Sequence, residues 1–232
     1  MCGHGIMRRT IVHFVPSQAI GILSTMVTTV EDHPHETVLV RGGSPYNSTM
    51  CAATYGPNYP EDLRQLAKEA QHSDDALDEL KEALLSRFPK YEAILRTTQA
   101  VDLIHGGVKV NALPEKVNAV VNHRIAEHDS VAAVQAHMTK VILPVAQKYD
   151  LSLDAFGTNV TAGSGAGGHV ALSDAWGTAL EPSPVTPTGK GDPYQILAGT
   201  IKATIESAQG YKAKGVVVAP LLPTGNTGGS CD

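Results

Sequence analysis

Apolar and polar positions alternate between Lys116 and Ile125. Val117, Ala119, Val121 and Ile125 share one parity; Lys116, Asn118, Asn122 and Arg124 share the other. A period of two predicts a strand with one face on a core and one face wet. The same period marks "RRTIVHFV" (8–15), "TTQAVDLI" (97–104) and "LSLDAFG" (151–157), and "HGG" (105–107) reads as a turn. A helical period fits "SQAIGILSTMVTTVED", where Ser17 can cap and Ile20, Leu23, Val27 and Val30 recur before Pro34 stops the helix. It also fits "DSVAAVQAHMTKVILPVAQKYD", through Val131, Val134, Met138, Val141 and Val145. Pro144 should kink or split that helix.

With residues 35–96 set aside, the order is strand, helix, strand, strand, helix, strand, the split βαβ pattern of ferredoxin-like domains. Residues 32–97 then read as a helical insertion. Within it, 35–60 is rich in Gly, Pro, Asn and Tyr and reads as loop. "PEDLRQLAKEA" has Pro60, Glu61 and Asp62 at its start, as the positive end of a helix dipole favours. "SDDALDELKEALLSRF" has a Ser73 cap and Leu77, Leu80 and Leu84 on one face.

Composition changes after residue 157. A small, Gly-rich stretch leads into the Pro-rich "LEPSPVTPTGKGDP". A helix follows, with Asp192 as cap, Pro193 in its first turn, and Ile196, Leu197, Ile201 and Ile205 on one face. "GVVVAP" reads as a strand covered on both sides. One helix and one strand are too few to close a core. The expected organisation is an α+β region over 1–157 and an incomplete piece of a layered α/β domain over 158–232.

Hydrophobic residues make up 42% of the 232, enough for a real core. The net charge of −5 and the lack of a basic run exclude nucleic acid as an expected partner. The apolar runs are too short for a transmembrane helix, and "MCGHGIMRRT" has no signal-peptide character. Cys2, Cys51 and Cys231 match no zinc or redox spacing, and Cys51 is the expected buried thiol. Asn47-Ser-Thr and Asn159-Val-Thr are candidate glycosylation sites.

Four stretches invite chemistry. "EDHPHE" holds His33, His35 and Glu36, but Pro34 forbids the helical spacing of a metal pair. "HRIAEH" is one residue too long for an H-x-x-E-H motif. "GSGAGG" (163–168) could cradle phosphate only before a helix, and no helix signal follows, so it reads as a flexible loop. Arg124, on the polar face, offers a planar fork that suits a carboxylate; an ordinary surface ion pair is the other reading. His123 has the apolar parity of a core or interface histidine.

"GGVKVNALPEKVNAVVNHRI", "LSDAWGTALEPSPVTP", "PYQILAGTIKATI" and "VVVAPLLPTGNT" resemble the fungal Gly-Xaa carboxypeptidases. These belong to the zinc metallopeptidase family that also includes aminoacylase. The resemblance runs from about Ile20 to Thr227. It implies a ferredoxin-like lid, often the dimerisation domain, inserted in a zinc-binding catalytic domain. It also implies a two-zinc enzyme that cleaves the C-terminal peptide bond of short peptides. Asn111 and Arg124 would then hold the peptide carboxylate and backbone, with Gly225 and Asn226 meeting the substrate from a catalytic-domain loop.

The family's oxyanion-stabilising His falls on His13 by spacing, with His4 in "CGHG" as the alternative. The family's metal-ligand segments have no counterpart here, so this chain alone is expected to bind no zinc and to be inactive. Resemblance also implies a homodimer through the lid and a vacuolar or secreted setting. The other reading is a non-catalytic ferredoxin-like dimerisation or binding module.

Overall fold

The computed structural model describes residues 19–160, 162–177, 179–208 and 216–220 in full, and residues 6–14 as backbone. One unit comprises β1 (Ile6–Phe14), α1 (Ala19–Asp32), β2 (Thr98–Gly106), β3 (Lys116–Arg124), α6 (Val131–Lys148), β4 (Ser152–Ala155), β5 (Thr158–Val160) and β6 (Gly168–Asp174). A second contains α2 (Ser44–Tyr55), α3 (Glu61–Glu69), α4 (Asp74–Arg87), α5 (Glu92–Leu95) and α7 (Pro193–Ser207).

The first unit is α+β. Its sheet runs β2-β3-β1-β6-β4-β5, with β3 antiparallel to both β2 and β1. The chain order βαββαβ over β1–α1–β2–β3–α6–β4 is the ferredoxin-like order expected from the alternation. That order by itself would seat β4 beside β1. Here β6 lies between them, antiparallel to β1 and parallel to β4. The sheet therefore does not stop at residue 157, and a boundary drawn there cuts through it. Val170 and Leu172 explain the insertion: they pair across to Leu153 and Ala155 and bury against the same core.

That core takes Ile22, Leu23, Met26 and Val30 from α1, Val134, Met138, Val141, Ile142 and Val145 from α6, and Val117, Ala119 and Val121 from β3. The odd parity of β3 faces the helices as the alternation predicts. The even parity is not simply wet, because Asn118 and Val120 are also buried; β3 is an interior strand. Helix α6 runs through Pro144 without division. Ser130 caps it, accepting from Ala133 N at 3.1 Å.

The second unit has its own core: Leu39, Tyr46, Ala53, Leu63, Ala67, Leu80, Leu84 and Leu95. Ser73 accepts from Ala76 N, the cap expected of α4. Residues 35–60 are not all loop, because α2 occupies Ser44–Tyr55. Its sequence, SPYNSTMCAATY, is a weak helix former. Pro45 stands in its first turn, and Pro45, Tyr46, Thr49 and Ala53 share a buried face, so packing overrides propensity. The apolar stripe of α7 is exposed at Ile196 and Leu197, and Asp192 makes no side-chain cap. Residues 216–220 join no strand.

Candidate functional site

Arg124 ends β3, exposed, with its backbone opposite Thr98 of β2. Asn111 is exposed in the connection that precedes β3. The backbone of His13 pairs with Lys116, the first residue of β3, and with His169. Eight residue steps separate Lys116 from Arg124, about 26 Å of extended chain. The residues singled out from sequence therefore divide between two ends of one strand: His13 and the Asn111 connection at its start, Arg124 at its finish. His4, Gly225 and Asn226 lie outside the described residues.

The Gly-rich loop is organised around a carboxylate of the chain itself. Asp150 adopts φ 52°, a left-handed conformation that Asp tolerates better than most residues. Its carboxylate accepts from Ser164 N and Ser164 Oγ, each at 2.6 Å. These donations, the hydroxyl's first, hold the Asp150 carboxyl below its usual range. Gly167 N donates to Asp150 O at 3.0 Å. The loop is thus a fixed wrapping of Asp150 rather than a phosphate cradle or a free coil, and no helix follows it: β6 does.

Two glycosylation candidates are exposed. Asn47 sits in α2 and donates Nδ2 to Gly42 O at 2.7 Å; Asn159 is on β5 at the edge of the sheet. Cys51 is free and half-buried, less enclosed than expected. Tyr59 of the helical unit is pushed above the usual phenol range by burial.

A cluster that motif reasoning passed over lies in the first unit. His35 is 9% exposed and His123 fully buried. The His35 ring stacks on His137 with centroids 4.0 Å apart and a 31° tilt. It meets His123 edge-on at 5.6 Å. Asp129 Oδ2 stands 3.8 Å from His35 Nδ1 and accepts from Thr97 Oγ1. Asp129 Oδ1 accepts from Ser130 N at 2.8 Å. His137 Nε2 is 2.9 Å from the His33 carbonyl oxygen. The signals in the sequence were the apolar parity of His123 and the position of His137 beside core Met138. Stacked rings turn their faces, not their nitrogens, to one another. Among the described residues, no three His, Cys, Asp or Glu side chains are grouped to hold a metal ion.

Among the described residues, the edge of the sheet at β2 is apolar as well as unpaired. Leu103 and Ile104 are exposed there, and Val108, Val110 and Leu113 are exposed in the connection that follows. Among the described residues, no helix is long and apolar enough to cross a membrane.

Residues 17–150 match the peptidase dimerisation domain family. Carboxypeptidase S of Saccharomyces cerevisiae is 33% identical over 208 residues, covering 90% of this chain and 35% of the yeast protein. An uncharacterized carboxypeptidase of Schizosaccharomyces pombe is 33% identical over 214 residues, 91% of this chain and 33% of that protein. The human N-fatty-acyl-amino acid synthase/hydrolase is 28% identical over 217 residues, 90% of this chain and 34% of that protein. The chain spans about a third of the length of the curated relatives it matches.

Proposed function

From the premise that this chain belongs to the peptidase dimerisation domain family, we propose that it is the lid portion of a zinc-dependent carboxypeptidase acting on short peptides. The observation that carries this reading is its likeness to fungal carboxypeptidases across nine-tenths of its length. Arg124 is the proposed carboxylate anchor, since its exposed guanidinium can bind a carboxylate through two parallel hydrogen bonds. Asn111 is the proposed partner for the peptide backbone, with His13, Gly225 and Asn226 as further substrate-side positions. The described residues do not fit a zinc site, so no catalytic step is assigned through zinc on this chain. A vacuolar or secreted setting, with glycans on Asn47 or Asn159, belongs to the same proposal.

A homodimer through the β2 edge is part of it. Antiparallel pairing of β2 with its copy would continue the sheet and cover Leu103 and Ile104. A two-fold axis also reverses the strands. The Arg124 end of one subunit then runs alongside the Asn111 end of its partner, which supports reading the divided residues as halves of shared sites. The other reading, a dimerisation module without a peptide site, predicts the dimer alone.

The test is a calorimetric titration of the chain with an N-blocked Gly-Leu dipeptide and with its C-terminal amide. The acid should bind, the amide should not, and Arg124→Ala should weaken the acid roughly tenfold or more. Equal binding of acid and amide would refute the carboxylate anchor. In sedimentation, Ile104→Lys should yield monomer; an unchanged dimer would move the interface elsewhere.

A further inference from the structure

We infer that the acidic end of α1 is a docking site for a second copy of the chain, with the partner's Lys109 seated in the pocket beside Glu31. The inference rests on the pairing of β2 with its copy proposed above, and it names a contact which that pairing makes. Helix α1 lies along β2 and runs the opposite way. A Cβ at Gly106 would meet Ile20 Cγ1 at 3.3 Å, so the start of the helix touches the end of the strand. At the other end, Gln99 Nε2 donates to the carbonyls of Val30 and His33.

The far end of α1 carries unfavourable charges for a helix C-terminus. Glu31 and Asp32 close it, both exposed, with no basic residue in the last turn. Their carboxylates add to the negative pole of the helix dipole, where a cation is favoured. Beside them opens a pocket of about 160 Å³, whose lining includes Val30, Glu31, Pro34, Arg96, Gln99 and Val101. Gln99 Oε1 is buried there without a hydrogen-bond partner. Arg96 has an interaction of its own within the chain, whereas Glu31 forms no ion pair among the described residues. The pocket thus presents unmet acceptors and lacks a cationic donor.

The opposite end of β2 supplies one. The connection that follows the strand holds Val108, Lys109 and Val110, all exposed. Lys109 is the one charged side chain in residues 107–113. Within one chain it does not reach Glu31. The connection leaves from the Ile20 end of α1, and the helix from Ile20 to Glu31 spans about 16 Å. A two-fold axis between paired β2 strands reverses them. The partner's connection then emerges at the Gln99 end of this strand, over the pocket mouth. There the partner's Lys109 meets Glu31, while the partner's Val108 and the partner's Val110 lie against the apolar lining. Symmetry makes the contact twice in each dimer.

The test is a charge swap in the full chain, read by sedimentation velocity over a range of concentrations. Lys109→Glu and Glu31→Lys each set like charges against one another at both contacts, and each should raise the dimer dissociation constant roughly tenfold or more. Both positions are exposed, so both variants should keep the circular dichroism of the parent. Mixed one to one, the two variants should dimerise about as tightly as the parent, because in the mixed dimer both contacts again join opposite charges. Recovery in the mixture requires contact between chains, which a change inside either chain cannot imitate. Variants that dimerise like the parent, or a mixture no tighter than its components, would overturn the Lys109 contact. Ile104→Lys reads the edge pairing separately. If it gives monomer while the swap has no effect, the pairing of β2 stands and this contact is refuted. A parent that stays monomeric at every concentration removes the edge pairing and this contact together.

Discussion

Gly167→Ala should be among the most damaging single-methyl changes in this chain. A Cβ at residue 167 would lie 2.0 Å from Tyr149 O and 3.2 Å from both Asp150 O and Tyr149 C. All three are main-chain atoms, so no rotamer change relieves the contact. An ordinary carbon–oxygen approach is about 3.3 Å, and the loop must therefore retreat by roughly 1.3 Å. The other side has little room to yield. Tyr149 N and Leu151 N are bonded to Val145 O and Ala146 O at 3.2 and 2.8 Å, and the Leu151 side chain is fully buried. The retreat breaks the 3.0 Å bond from Gly167 N to Asp150 O. One main-chain hydrogen bond, about 1 kcal/mol, added to about 1–3 kcal/mol of overpacking gives an expected loss of about 2–4 kcal/mol. Urea unfolding followed by far-UV circular dichroism measures it. The control is Gly177→Ala, at φ 66° with nothing within 4 Å, where only the left-handed conformation costs energy, about 1–2 kcal/mol. A Gly167→Ala protein within about 0.5 kcal/mol of the parent would refute the close approach.

Gly21→Ala in α1, where a new Cβ meets nothing within 4 Å, should stabilise the protein by about 0.5–1 kcal/mol in the same urea assay. Arg64 grips the carbonyls of Ala53 and Gly56 at the end of α2 and pairs with Glu61 at 3.1 Å. A lysine cannot fork in this way, so Arg64→Lys should lower the stability of the helical unit by about 1–2 kcal/mol, seen as an earlier thermal transition. Asp150, held below the usual carboxyl range by Ser164, stabilises the fold above the ordinary Asp value of about 3.9, and that stability fades as pH falls through it. Acid titration monitored by circular dichroism should therefore show a shallower acid limb for Asp150→Asn than for the parent.

Local signals sufficed for much of this protein. Period-two alternation marks β1, β2, β3 and β4; helical period marks α1 and α6; Ser73 caps α4 as a serine before an apolar-faced helix should. These depend on neighbours a few residues apart, so the sequence carries them directly. The family, too, was legible, because its motifs are continuous stretches. The remainder came from pairings between residues distant along the chain. Helix α2 forms from a loop-like sequence because Tyr46 and Ala53 find a core built by α3 and α4. The strand β6 enters between β1 and β4 because Val170 and Leu172 complete a surface supplied by α1 and α6. The separation of Asn111 from Arg124 follows from the length of β3. Four residues spread from position 35 to position 137 become a histidine–aspartate cluster only when β3 and α6 pack together. Sequence determines periodicity, caps and turns through short-range sterics and hydrogen bonding. Which buried faces meet, and which titratable groups are thereby forced into contact, is decided only by the tertiary fold, since burial is a property of the whole packed chain.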